Sequence, residues 1–179
     1  MLKKMTLCAA LAASGVLLGA CAGTRDRGLN ASPTAASDLA PVSGSNVNGK
    51  ATFHMEGGRM IIEADIQGLS PGRHGFHIHE FGDCGNNAKS AGGHFNPTGQ
   101  KHGPGMLMDS HSGDLGNLVA DGGGYAHGVF ETEHLSFKGA NSVLGLSLVV
   151  HADPDDFVTQ PSGNSGERIA CGLIYQTGP

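Results

Sequence analysis

From Asn46 onward the chain reads as short alternations of apolar and polar residues, cut by glycine-rich turns. Lys50 to Glu56 partly alternates, Gly57-Gly58 follows, and Arg59 to Ile66 returns with the same period, which predicts a hairpin on a two-glycine turn. Gly68 to Gly72 reads as a further turn and Gly75 to Glu80 as a third strand. Leu115 to Asp121 and Tyr125 to Thr132 flank Gly122-Gly123-Gly124 as another hairpin. Val143 to His151 is a continuous apolar run of the buried-strand type, and Ile169 to Tyr175 reads as the last strand. Residues 81 to 115 and 152 to 167 are polar, rich in Gly, Asn, Pro and Ser, and almost without strand signal. Loops of that length inside a domain are uncommon unless they carry function. About eight strands with long loops on one side imply an all-β fold: an eight-stranded antiparallel Greek-key flattened barrel, an immunoglobulin-like sandwich. No internal repeat stands out.

Upstream the pattern differs. Lys3 and Lys4 precede an apolar run from Leu7 to Ala20, which predicts a signal peptide over residues 1–20. At roughly 14 residues the run falls short of the ~20 that a spanning helix needs. It ends in Leu18-Gly19-Ala20-Cys21, which resembles a bacterial lipobox, so Cys21 is expected to carry a lipid; the plainer alternative is an ordinary signal peptide with an incidental thiol. Residues 21–45, rich in Ala, Ser, Gly, Asn and Asp, read as a flexible tether, leaving 46–179 as the folded domain.

Composition supports an exported β domain. Thirty glycines, no tryptophan and 15% charged residues favour turns and short strands. The net charge is −5, and loss of the signal peptide removes two lysines and no acid, taking it to −7. Without a basic stripe, nucleic acid is disfavoured as a partner. Of the four cysteines, Cys8 lies in the signal and Cys21 at the lipid position. The remaining pair, Cys84 and Cys171, is most simply a disulfide in an exported protein. Bridging them closes a loop of roughly 87 residues, worth about 4–5 kcal/mol in the chain-entropy model, an upper figure.

The chemistry lies in the histidines. His77 and His79 alternate on a strand, so both rings point to one face. His94, His102 and His111 follow in the first long loop with Asp114, and His151 closes the buried strand. Imidazole suits copper and zinc, and one carboxylate among several histidines suits zinc. A tetrahedral zinc and a tetragonal copper need about eight ligand positions, and seven residues fill them only if one imidazole bridges. His94 lies between the two groups in sequence and is the natural bridge. The expected copper set is His77, His79, His94 and His151; the expected zinc set is His94, His102, His111 and Asp114.

The chain resembles the copper/zinc superoxide dismutases, specifically the exported bacterial type. The likeness rests on Gly75-Phe76-His77-Ile78-His79-Glu80, Ser90-Ala91-Gly92-Gly93-His94-Phe95-Asn96-Pro97, His111-Ser112-Gly113-Asp114-Leu115-Gly116-Asn117 and Gly163-Asn164-Ser165-Gly166-Glu167-Arg168-Ile169-Ala170-Cys171-Gly172, and covers about residues 46 to 176. It implies dismutation of superoxide anion at one copper and one zinc per chain. It also implies that Arg168 guides the anion beside copper and that Asp155 orients one copper-side and one zinc-side histidine. Two departures matter. Cys84 sits five residues after His79, closer than in the animal enzymes, and the loop from Ala152 to Glu167 contains acids and no lysine. Steering is therefore expected from Arg168, the metals, and Lys89 or Lys101. His54, His74, His127 and His134 fit no ligand position and read as surface or strand residues; Met106-Leu107-Met108 reads as local packing. The expected location is the periplasmic side of the cell envelope, lipid-anchored through Cys21 and favouring the outer membrane because Ala22 follows it. The contrasting reading is a non-enzymatic copper/zinc-binding envelope lipoprotein, which would be expected to have lost a copper ligand or Arg168. Monomer and homodimer both stay open.

Overall fold

Strand pairing in the computed structural model follows the expected hairpins and adds a strand that the alternation did not announce. The structure describes residues 34–105 and 109–178. Its strands, in chain order, are β1 (Ala35–Pro41), β2 (Asn48–Glu56), β3 (Arg59–Gln67), β4 (Gly72–His79), β5 (Asp114–Ala120), β6 (Ala126–Thr132), β7 (Ser147–His151), β8 (Arg168–Leu173) and the two-residue β9 (Tyr175–Gln176). All pair antiparallel in the order β5-β4-β7-β8-β1-β2-β3-β6, with β9 against β1. The outermost strands, β5 and β6, are joined by the glycine turn and lie against each other, so the sheet curls into a nearly closed barrel. The β3–β4 and β6–β7 connections both cross over, as in a Greek key.

Alternation explains the barrel wall. On β3, Met60, Ile62, Ala64 and Ile66 are buried while Glu63, Asp65 and Gln67 face water. The β2–β3 turn works because Gly57 and Gly58 take φ of 57° and 89°, the left-handed values a two-residue hairpin turn demands. Phe53, Ile62, Phe76, Ile78, Leu118, Phe130, Leu148 and Ile174 fill the interior, with the Phe76 and Phe130 rings 5.2 Å apart. Outside the wall, Val149 packs with Ala88 and Cys171 under the loop that the Cys84–Cys171 disulfide pins down. Val149 faces outward yet is covered, which is why β7 is apolar on both faces.

Three expectations are corrected. The segment read as a tether to residue 45 contains β1, which pairs with β2 and β8. It lies so close to β8 that position 172 must be glycine: a Cβ there would lie 2.5 Å from both the Asp38 carbonyl and the Ser37 hydroxyl. Alanine and serine bury there fully and leave little hydrophobic signal. The run from Val143 is a strand only from Ser147, because Gly145 at φ 83° makes a turn from which Val143 packs into the core. The last strand breaks at Ile174, giving β8 and β9. The signal peptide, Cys21 and Met106-Leu107-Met108 lie outside the described residues.

Candidate metal centre

The barrel aims the histidines outward. On β4, Phe76 and Ile78 enter the core, and His77 and His79 therefore point to the opposite face, under the long loops. The pairing of β4 with β5 shifts register between Phe76 and His77, and that of β7 with β8 shifts between Val150 and His151. Such bulges re-aim side chains, and both fall at histidines of the cluster. The first long loop is laced to β4 by its backbone: Phe95 N–H donates to Ile78 O (2.8 Å), Ile78 N–H to Gly113 O (2.9 Å) and Gly113 N–H to Phe95 O (2.8 Å). Gly113 must be glycine, since a Cβ there would sit 2.2 Å from the Ile78 carbonyl.

Two buried donor groups result, each with its ligand atoms within 4.8 Å of one another: His77, His79, His94 and His151, and His94, His102, His111 and Asp114. His94 belongs to both. Its Nδ1 lies 2.7 Å from Asp114 Oδ1, while its Nε2 has no protein partner. Around the same carboxylate oxygen, His102 Nδ1 stands at 3.0 Å and His111 Nδ1 at 3.4 Å. An ion 2.0–2.1 Å from four tetrahedral ligands separates them by roughly 3.3 Å, so the donors already stand near the edges of that shell.

The unpartnered atoms give a second test of fit. Among the described residues, the buried side-chain N and O atoms without a hydrogen bond are Ser37 Oγ and His77 Nδ1, His94 Nε2, His102 Nδ1 and His111 Nδ1. Orphaned buried polar atoms are costly, and four of these five converge on the two groups. On His77, His94 and His102 the opposite ring nitrogen is occupied. Asp155 accepts from His77 Nε2–H and His102 Nε2–H, each at 2.9 Å, so one carboxylate orients a histidine of each group. His79 Nδ1–H donates to Gly92 O at 3.0 Å.

Electrostatics divide the groups. Burial pushes the His77 pKa down to about 4 against the pull of Asp155, and pushes His79 and His151 well below the ordinary value. These rings stay neutral at pH 7 with lone pairs available to an ion. On the other side burial also disfavours charge on His102, but Asp114 and Asp155 outweigh it and raise the pKa to about 9. Burial alone would raise Asp114 and Asp155; their histidine partners hold both well below the usual carboxylate range. Two buried carboxylates holding a proton on His102 form a cation site in which a dication can take the proton's place.

Above His94 and His151 opens a cleft of about 490 Å³, lined also by His79, Glu80, His111, Pro161, Ser162 and Arg168. Arg168, opposite His151 in the β7–β8 register, is half-buried. Its guanidinium donates to the Ala88 carbonyl and, at 2.6 Å, to the Gly92 carbonyl. Gly92 O thus takes one bond from Arg168 and one from His79. Burial lowers the Arg168 pKa, though guanidinium stays charged at neutral pH.

The described part of the chain matches the family model for copper/zinc superoxide dismutase over residues 47–174. The chain belongs to the copper/zinc superoxide dismutase family. It is 43% identical over 138 residues to an extracellular Cu-Zn superoxide dismutase of Brugia pahangi, covering 72% of this chain and 69% of that protein. It is 43% identical over 137 residues to Cu-Zn superoxide dismutase 3 of Arabidopsis thaliana (73% and 84% covered), and 40% identical over 147 residues to a Cu-Zn superoxide dismutase of Onchocerca volvulus (76% and 93% covered). As a copper/zinc superoxide dismutase the chain is an oxidoreductase acting on superoxide, with copper and zinc as its cofactors.

All seven expected metal ligands, Asp155 and Arg168 meet in one place, and the expected disulfide is present. Lys89 lines a neighbouring cavity with Arg168 and Glu167, and Lys101 is exposed. His74 is a strand residue as expected, on β4, and it is also buried, with Nδ1 2.9 Å from the His151 carbonyl and Nε2 2.8 Å from the Ser70 carbonyl, propping a cluster histidine from behind. Asn117 stands in the sequence only as part of a motif. Its amide donates to Asp155 O (3.0 Å) and accepts from Asp155 N–H (2.8 Å), so it sets the backbone of the orienting carboxylate. Neither role shows in sequence, because both bonds reach backbone atoms far along the chain.

Proposed function

We propose that this protein dismutates superoxide at an imidazolate-bridged copper–zinc site in the cell envelope, anchored by a lipid on Cys21. Copper would be held by His77 Nδ1 and the Nε2 atoms of His79, His94 and His151; zinc by Asp114 and the Nδ1 atoms of His94, His102 and His111. The observation that carries this reading is the position of His94, whose two nitrogens face two separate donor groups. A bound copper supplies one-electron exchange, so that one superoxide is oxidised to dioxygen and a second reduced to peroxide.

The chain's own residues do the rest. Arg168 presents a cation in the cleft beside His151 and binds the anion, held in place by two loop carbonyls. The proton for peroxide is carried on His94 Nε2 when that atom is not ligating, and a second proton comes from water. Asp114 and the other zinc-side rings keep the His94 ring in place throughout. Asp155 fixes the rotation of His77 and His102 together.

Export is supported by the signal-like segment over residues 1–20, by the disulfide, which persists in oxidising compartments, and by the kinship with a relative named extracellular. In this proposal the protein works on the periplasmic side, protecting the envelope from external superoxide, with the lipid in the outer membrane. Metal analysis and superoxide decay by stopped flow test the reading together: one copper and one zinc per chain with rapid decay is expected. Retention of two zinc ions, no copper and no activity would leave the alternative, a metal-binding envelope lipoprotein.

A further inference from the structure

We propose that Gln160 is a positioning residue for His102, tying the wall of the anion cleft to the zinc side of the centre. The inference rests on the ligand sets proposed above.

Residues 156–163 close into a turn that needs no apolar core. Asp156 Oδ1 accepts from Val158 N–H (2.9 Å) and Thr159 N–H (2.8 Å), and Oδ2 accepts from the Thr159 hydroxyl (2.6 Å). Gly163 N–H donates to Thr159 O (2.7 Å), and Asp156 N–H donates to Gly163 O (2.9 Å). Gln160 therefore leaves a braced turn, and its amide grips the main chain of His102 at both ends. Its Oε1 accepts from His102 N–H at 2.9 Å, and its Nε2–H donates to His102 O at 2.7 Å. The pair of bonds imitates strand pairing and sets the peptide planes on either side of the ligand.

The same turn closes over the ring. A Cβ on Gly163 would come within 2.6 Å of His102 Nε2 and 1.9 Å of Asp155 Oδ1. His102 is thus held by its ring through Asp155 and by its backbone through Gln160, both from one loop. Pro161 and Ser162, next in the chain, line the cleft. Gln160 touches no other residue of either donor group among its hydrogen bonds; its effect must pass through His102.

Partners of this kind, one step removed from a metal, are typically worth roughly 10–100-fold in metal affinity. Gln160 is solvent-exposed, so the lower end applies. The full chain, loaded with copper and zinc, would be challenged with a chromophoric zinc chelator. Gln160→Ala is expected to weaken zinc retention about tenfold. Gln160→Glu, which keeps the acceptor for His102 N–H and loses the donor to His102 O, should fall between it and the wild type. Thermal midpoints separate positioning from bulk stability: Gln160→Ala should lower the midpoint of the zinc-loaded chain more than that of the metal-free chain. Equal zinc retention in Gln160→Ala and wild type, or equal drops in midpoint with and without zinc, would overturn the proposal. If His102→Ala itself leaves zinc retention unchanged, the ligand assignment fails first.

Discussion

His94 is the residue on which both donor groups depend, since each loses a ligand when its ring is removed. His94→Ala is therefore expected to lower copper and zinc occupancy together, while His102→Ala releases mainly zinc; elemental analysis after dialysis against a chelator measures both. A His94→Ala chain that keeps its zinc and an unaltered copper spectrum would contradict the bridge. Protonation gives a second residue-scale test. His102, raised to about 9, must lose its proton to bind an ion, so zinc affinity should climb between pH 6.5 and 9 and then level off. In the metal-free chain the same shift has the opposite sign for stability. A raised pKa stabilises fully below the unfolded value of 6.5 and loses that contribution as pH rises through 9. His77, lowered to about 4, stabilises above 6.5 and loses its contribution as pH falls through 4. Metal-free stability should peak near pH 6.5 for these two groups, and urea midpoints across pH 4 to 9 that fall on only one side of that value would show that one of the shifts is absent.

At the scale of elements, the disulfide is the joint between the first long loop and β8. Cys84 reaches Cys171, and a few residues on, Ala88 O and Gly92 O hold Arg168. Replacing either cysteine by serine should cost about 2–5 kcal/mol, read by chemical unfolding. Bound metal should mask part of the loss, because it stabilises the folded state alone. Two titratable thiols at 84 and 171 in the purified protein would contradict the bridge. What was legible in the sequence follows from the same elements. Strands with one wet face, β2 and β3, announced themselves by alternation, and the ligands by residue type and motif. β1 did not, because apart from Leu39 its buried residues are alanine and serine, which carry almost no hydrophobic signal. The Val143 run misled because apolar residues in a turn can bury as well as those in a strand. His74, Asn117 and Gln160 stayed hidden because each acts on a backbone group distant in sequence.

The whole molecule is acidic, and its approach to the anion follows from that. The loop from Ala152 to Glu167 carries acids and no lysine, Glu80 lines the cleft, and Lys89 faces the next cavity with Glu167 beside it. Arg168 thus opposes a repulsive background at short range. Arg168→Glu should slow superoxide removal while both metals stay bound. In wild type the rate should depend weakly on salt, or rise with it, because ions screen the long-range repulsion beyond roughly 8–10 Å more than the local contact. A steep fall with salt would mean that a positive field, with Lys89 and Lys101 as its candidate sources, dominates the approach. The most direct test of the shared ring remains magnetic. With copper(II) in its group and cobalt(II) in the zinc group, whose occupancy its visible absorbance reports, an imidazolate from His94 would couple the two spins and abolish the ordinary copper electron paramagnetic resonance signal. An undiminished copper(II) signal beside bound cobalt would contradict the bridged centre.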